Sequence, residues 1–550
     1  MRQRVFGSID SFVESADSSL KIGRLVGNFG FLQALLRFGE FDQIQLFCPT
    51  MGNLQLLRQQ LENSLDEDTL NRVVLSHHLN LPDALAATDF DAFHLGDAFF
   101  YLPKMAELRA RHAAHPFPLT APTHSLNDVD LGDKIRRLCQ APLSEGDAIF
   151  CTSRAGEDVM RHYLALHREP GRPPRTEWVP LGIDESYFIP RARAACRKKL
   201  GLPERAFCLL YLGRFSPVTK ADLTPLLYTL ARLRAEPAGP DTPPLEWRLL
   251  LAGGGSAGEI ASLRQTIGEL GLQTCVRLCD NVEDEAKRDL LAAADVFVSP
   301  VDNYQETFGL SIVEAMAAGL PVLASDFDGY RDLVVDGETG YLIPTLACPP
   351  PALIDALLPV LDANLVSLCC AQGVAVDMEC LAQRLRELAR SPGLCRAQGE
   401  AGRRRAQAHF SWRKVMARYD AWWRTLKREA LGAGLAKPGA APQPPLSAFQ
   451  SYPSRWLAGD VTLQLTPLAE DIVAGKLPMP ATYADVSLLS SAPLLAHVLQ
   501  VVSQLGACGL SEVLEHCPAI APDYVCYQLA WLLKYGLLRA RPLAPAQPAP

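Results

Sequence analysis

Short apolar runs alternate with longer amphipathic stretches over the first three quarters of the chain. The runs Arg4–Gly7, Gln43–Phe47, Val73–Leu75, Ala92–His94, Leu119–Ala121 and Ala148–Cys151 have the length of strands. Their continuous apolar character fits strands buried on both faces. Phe31–Phe38 and Ala155–Leu166 have helical spacing, the second capped by Thr152-Ser153. Gly23–Gly30, with Gly27-Asn28-Phe29-Gly30, reads as a glycine-rich loop entering the first helix. Repeated alternation of strand and helix predicts a parallel sheet covered on both faces.

The pattern starts again near Arg197. Cys208–Leu212, Trp247–Ala252, Val276–Leu278, Val296–Val298 and Pro321–Ala324 read as strands, with helices over Glu285–Ala294 and Ile312–Ala317. Beyond the prolines at 349–351 the chain is mostly helical. A Pro/Gly/Ala-rich stretch, 432–448, reads as a linker. Pro493–Leu505, Leu510–His516 and Tyr524–Tyr535 then carry helical apolar stripes. The chain is thus α/β in class: a Rossmann-like domain over 1–192, a second over 193–428 with closing helices, a linker over 429–450, and a small, mostly α, winged-helix-like module over 451–550.

Composition narrows the function. With 550 residues, 48% of them hydrophobic, the chain can bury two or three cores. A net charge of -8 disfavours a general nucleic-acid binder. The last helix of the module offers Gln528 and Lys534 but little else to read bases, so the module reads as a protein-contact element and a transcriptional regulator is disfavoured. No amino-terminal leader pattern or membrane-length apolar run is evident. Fifteen cysteines without a Cys-x-x-Cys pair read as reduced core residues of a cytoplasmic protein. Cys275 and Cys279 have no second pair at ligand spacing, so no metal site is expected.

Candidate chemistry concentrates between Val296 and Pro344. A polar loop, Asp302–Glu306, leads to Gly309 and a helix carrying Glu314. Such a loop lies at the carboxyl edge of a parallel sheet, where α/β enzymes bind ligands. A helix start offers free amides to anionic oxygens. A carboxylate there suits sugar hydroxyls better than phosphate. On spacing alone, a solvated loop Glu and an ordinary helix Glu explain the pair as well. The strand Cys208–Leu212 ends in Gly213-Arg214, with Lys220 close behind. That places paired donors and a compact charge where a diphosphate would bind. Trp247–Ala252 ends in Gly253-Gly254-Gly255, which lets backbone pack near a nucleotide.

Glu306, seven intervening residues and Glu314, with Phe308-Gly309 between them, resemble the Glu-x7-Glu signature of retaining GT-B glycosyltransferases of family 4. Gly213-Arg214…Lys220 resembles that family's diphosphate grip. Val179-Pro180-Leu181-Gly182-Ile183-Asp184 with Phe188 resembles its segment before the interdomain linker. The resemblance covers roughly residues 20–425. It implies a GT-B fold, two Rossmann-like domains facing across a cleft, and transfer of sugar from a nucleotide-diphosphate-sugar to a glycan, lipid-linked or other acceptor. It implies roles for Arg214 and Lys220 on the diphosphate, Glu314 on the ribose, and Glu306 and His124 near the sugar. Phe308, Gly309, Leu310, Gly253, Val282 and Gly30 would line the donor. The donor is a substrate, and neither cofactor nor metal is implied. The setting would be cytoplasmic, or peripheral at the inner membrane face. Tyr330-Arg331-Asp332 stands where Pro/Gly-Glu is commoner. A catalytically silent GT-B scaffold with the module as its working part, or a GT-B nucleotide-sugar epimerase, are the competing readings.

Overall fold

The computed structural model describes residues 2–10, 12, 23–167, 174–237, 245–439, 448–454, 456–457 and 461–542. It divides into two compact units, Met1–Cys48 with Leu56–Gly439, and Pro49–Gln55 with Ala440–Pro550.

The first unit holds two parallel sheets. Strands β1 (Val5–Ser8), β2 (Gln43–Cys48), β3 (Val73–His77), β4 (Ala92–His94), β5 (Leu119–Pro122), β6 (Ala148–Cys151) and β7 (Arg175–Trp178) form one sheet. Its order is β3-β2-β1-β4-β5-β6-β7. The second contains β8 (Phe207–Leu212), β9 (Trp247–Gly253), β10 (Val276–Asp280), β11 (Val296–Ser299), β12 (Val322–Ser325) and β13 (Gly340–Ile343), in the order β10-β9-β8-β11-β12-β13. The central strands β4, β5, β6, β11 and β12 are buried throughout, which is why they read as unbroken apolar runs rather than as alternation. Strand β7, half-buried along its length, lacks that signal and escaped the sequence reading.

In each sheet the strand order reverses at one point. Strand β1 pairs with both β2 and β4, and β8 pairs with both β9 and β11. Connections leave such a pair in opposite directions and open a crevice at the carboxyl ends of the strands. The loops after β8 and β11 therefore border one crevice.

The chain crosses twice between the sheets. Its return is fastened by backbone bonds from Ile183 N to Phe410 O (2.9 Å) and from Trp412 N to Ile183 O (3.1 Å). The helix Pro392–His409 packs on the second sheet's side, where Gly402 faces Met316. The next helix, Trp412–Ala433, belongs to the first sheet. Trp423, fully buried, meets Phe6 and Phe41 at 5.5 Å and donates its indole N–H to Thr120 Oγ1 at 3.0 Å. Lys427 reaches Asp89 (2.6 Å) and the carbonyls of Phe90 and Pro116.

Two expectations are corrected. The glycine-rich loop is helix: Gly23–Phe38 is one α-helix. Gly30 lies within it, against the Trp412 indole, where a Cβ would stand 3.1 Å from Nε1. The closing helix continues to Ala433, past the expected boundary at 428; of the linker, 440–447 lies outside the described residues. The carboxyl-terminal module is mostly helical, as expected, and carries a small sheet. Val461–Leu465 is the middle strand of a three-stranded antiparallel sheet, between Cys508–Gly509 and Leu538–Pro542. Apolar residues of the helices Ala492–Leu505 and Pro522–Lys534 pack with it in one core.

Cys48, Cys151, Cys196, Cys208, Cys275, Cys508 and Cys517 are buried free thiols. Among the described residues, no helix is long and apolar enough to cross a membrane, and no group of three or more His, Cys, Asp or Glu is disposed to hold a metal ion.

Candidate functional site

Strand β8 ends where Gly213 and Gly253 meet. Gly253 has φ +152°, and a Cβ there would lie 1.9 Å from the Gly213 carbonyl oxygen. That close approach requires glycine at 253 and turns the following Arg214 out at the crevice. The Arg214 guanidinium donates to Thr219 O at 2.9 Å, and its own carbonyl accepts from Tyr211 Oη at 2.9 Å. Burial lowers the guanidinium's pKa, opposed by the Glu306 charge, but an arginine stays protonated. The loop that carries Lys220 is tied down by Asn303, a fully buried side chain whose amide donates to Pro217 O (3.0 Å) and Val218 O (2.8 Å). Asn303 lies just after β11, so the two crevice loops are held as one piece.

Glu306 is the centre of the arrangement. Its Oε2 is paired with Lys220 Nζ and accepts from Tyr330 Oη at 3.3 Å. Its Oε1 accepts from the backbone amides of Thr307 and Phe308, each at 3.2 Å. Burial alone would raise the carboxyl. The Lys220 ammonium and the two amides outweigh it and hold the group below the usual carboxylate range. The Phe308 ring is buried near Phe410, with centroids 6.2 Å apart. Gly309 has φ +104° and lies on the Tyr330 ring, where a Cβ would come within 2.5 Å of Cε1. The helix Leu310–Ala317 starts immediately after it.

Glu314, buried in that helix, accepts from Lys287 Nζ at 2.8 Å, and Lys287 lies 5.1 Å over the Tyr187 ring. Burial opposes a charge on Lys287, but the neighbouring Glu314 carboxylate prevails and raises its pKa. Val282 is partly buried and packs on the core of the second sheet.

The loop after β12 brings Asp328, with φ +46°. Its Oδ1 accepts from Ser153 Oγ at 3.3 Å, and Asp332 Oδ2 accepts from Arg154 N at 2.7 Å. Both donors sit at the start of the helix Arg154–Leu166, so the two sheets touch beside Glu306. Burial first, and the Glu306 charge second, push the Asp328 carboxyl up to about 8. Asp326 and Asp328 form an Asp-x-Asp, but Asp326 pairs instead with Arg331 at 2.6 Å. On the first sheet, His124 Nε2 lies 2.7 Å from Gly96 O, while Gly96 N donates to Asp10 Oδ2 at 2.6 Å. His94 is enclosed by Phe31, Phe150, Tyr419 and Trp423, and burial lowers its pKa to about 3.

The family model described as glycosyl transferases group 1 matches residues 206–363, the span that carries Arg214, Lys220, Glu306 and Glu314. Over these residues the chain is similar to the group 1 glycosyltransferases. The D-inositol 3-phosphate glycosyltransferase of Stackebrandtia nassauensis is 31% identical to it over 237 residues, 42% of this chain and 51% of that protein. Across eight such relatives the match spans between 38% and 52% of their length. Among solved structures, sucrose-phosphate synthase from Thermosynechococcus elongatus superposes with a TM-score of 0.53 at 20% identity, covering 77% of this chain and 99% of that one. Anabaena HepE, solved in complex with UDP, gives 0.51 at 17% identity, covering 76% and 99%. The architecture is GT-B.

The matched span thus brings together Arg214, Lys220 and Glu306, with Glu314 in the helix beyond. Outside it, Gly30 lies in a helix packed on Trp412 rather than in an open loop. The Thr307 and Phe308 amides are turned to Glu306 itself. Sequence reasoning missed Lys287, Tyr187, Asn303 and Asp328. Their partners lie far along the chain, so no local spacing marks them.

Proposed function

We propose that this protein is a retaining, metal-independent glycosyltransferase that moves a sugar from a nucleotide-diphosphate-sugar to a glycan, lipid-linked or other acceptor. The observation that carries the proposal is the buried pairing of Lys220 with Glu306 across the loops after β8 and β11. In this structure the two charges neutralise each other. A diphosphate entering the crevice competes for Lys220 and Arg214 and frees Glu306 to accept from sugar hydroxyls. The two cations then neutralise the charge that develops on the departing diphosphate, the kind of fixed electrostatic help that lowers such barriers by several kcal/mol. Glu314, oriented by Lys287, is placed to accept from the ribose hydroxyls. Retention follows if the acceptor hydroxyl attacks on the face from which the diphosphate departs and a leaving-group oxygen takes its proton. His124, on the first sheet beside Gly96 O, would meet the donor sugar. The family match is confined to residues 206–363, so no relative's acceptor is carried over. Buried free thiols such as Cys151 and Cys208 suit a cytoplasmic setting.

The carboxyl-terminal module is assigned to protein contact. Gln528, the amide offered for reading a base edge, is buried and bonded to Ser490, Leu489 and Tyr524. Tyr524 and Tyr527 stand exposed on the same helix.

The test is nucleotide release from a panel of nucleotide sugars in EDTA. Release from one donor, retained in EDTA and lowered by roughly a thousandfold in Glu306→Ala and Lys220→Ala, is the expected result. A requirement for added metal would contradict the mechanism. Nucleotide binding without release from any donor, acceptors included, would favour a binding scaffold.

A further inference from the structure

Tyr330 occupies the segment where the sequence departs from the commoner Pro/Gly-Glu pattern. It is fully buried. Its hydroxyl lies 2.9 Å from Ser299 Oγ at the end of β11 and donates to Glu306 Oε2 at 3.3 Å. With that proton spent on Glu306, the Ser299 hydroxyl supplies the donor to the phenol oxygen. The result is a directed chain from Ser299 through Tyr330 to Glu306. The same ring forms the floor under Gly309, so one side chain supports both the carboxylate and the turn that follows it.

Glu306 Oε2 therefore has two donors of different kinds. Lys220 is a charge that a diphosphate attracts; Tyr330 is a neutral hydroxyl with no route to the ligand except through Glu306. We propose that Tyr330 is a positioning residue for Glu306, keeping the carboxylate ionised and aimed when an incoming diphosphate draws Lys220 away. This inference rests on the function proposed above. An aliphatic side chain at 330 could fill the same volume but could not donate, and the carboxylate would then keep only the backbone amides of Thr307 and Phe308.

Tyr330→Phe keeps the ring and removes only the hydroxyl, which makes it the informative variant. With donor turnover as readout, kcat falls about tenfold while the donor KM stays within about twofold. The acid limb of the pH profile moves to higher pH, because an ionised Glu306 has lost a donor. The other titratable groups facing Glu306 are Lys220 and Arg214 from the loop after β8, Tyr211 from β8, and Asp328 from the loop after β12. All are unchanged in this variant, so the shift reports the missing hydroxyl. Ser299→Ala gives a smaller change in the same direction. A Tyr330→Phe enzyme with wild-type kcat and an unmoved acid limb overturns the proposal.

A second measurement needs no donor. In the full chain, thermal midpoints of Tyr330→Phe, Glu306→Gln and the double variant form a cycle. The two single shifts should fail to add, by about 1–2 °C. Additive shifts overturn the proposal even if no nucleotide sugar is ever turned over. Non-additive shifts in a protein without turnover would retain the Tyr330–Glu306 link and reject the transferase reading.

Discussion

The two sheets of the first unit share a topology and differ at their edges. Between β8 and β11 the crevice is lined by charges taken partly out of water and paired: Lys220 with Glu306, Lys287 with Glu314, and Arg214 beside them. Between β1 and β4 the corresponding position is organised around one peptide unit. Gly96 donates its N–H to Asp10, and its carbonyl is approached by His124 and by the Asn28 amide at 3.3 Å. A parallel sheet whose order reverses opens a crevice wherever it reverses, but the fold leaves its chemistry open. Paired charges suit a ligand that brings its own charge and exchanges partners. A backbone-centred polar cluster suits neutral hydroxyls. On the function proposed above, the donor takes the second edge and the acceptor the first.

The strongest challenge to this contrast compares two glycines. Alanine at 309 would be held at φ +104° and driven into the buried Tyr330 ring. That costs about 2–4 kcal/mol and should abolish donor turnover. Alanine at 96 would meet the ends of the Asp10 and Asn28 side chains at 2.2 and 2.7 Å, which can swing aside. Its stability loss should be well under half that of Gly309→Ala in thermal unfolding. Equal losses would mean that the first edge is as rigidly built as the second.

A smaller effect separates the two charge pairs of the second edge. Lys287→Met removes the donor that orients Glu314 without touching Lys220. Donor KM should rise about tenfold with kcat nearly kept, since an interaction equal in ground and transition states is lost. A fall in kcat of the size seen for Lys220→Ala would mean that both pairs serve the bond-breaking step.

An effect of a different kind lies where the two edges touch. Asp328 keeps its proton to about 8 in the folded chain, whereas an unfolded Asp loses it near 3.9. A folded-state pKa raised in an acid works against stability: the penalty is absent below pH 4 and complete above pH 8. The thermal midpoint should therefore decline across that window relative to Asp328→Asn, in which the decline is reduced. Parallel midpoint curves for the two proteins would show that Asp328 ionises freely.

Much of this was legible from the order of residues. Strands buried on both faces announce themselves as apolar runs, so β8, β11 and β12 and the loops beyond them could be placed. With the loops came Arg214, Lys220, Glu306 and Glu314. The misreading of Gly27–Gly30 has a definite cause. Glycine weakens an isolated helix, but here the helix runs under the Trp412 indole, from a residue almost four hundred positions away, and only a small side chain fits beneath it. Lys287, Asn303 and Asp328 stayed hidden for a related reason. Each is an ordinary polar residue whose partner is set by tertiary packing, not by spacing. The Tyr330-Arg331-Asp332 departure was visible, but that its phenol reaches Glu306 was not.

The placement of Trp423 has a consequence for how the chain is made. Its indole completes a cluster with Phe6, Phe31 and Phe41, residues that leave the ribosome nearly four hundred positions earlier. Domains usually fold as units, amino-terminal first, as they are synthesised. Here the amino-terminal sheet must wait with that aromatic surface uncovered until the helix Trp412–Ala433 emerges. The second sheet, whose strands run without interruption from Phe207 to Ile343, takes Leu381–Phe410 to complete its core, and all of these emerge before Trp423. In this protein the later-made half is free to mature before the earlier one, and the nascent chain is most in need of chaperone protection while its opening residues await their last partner.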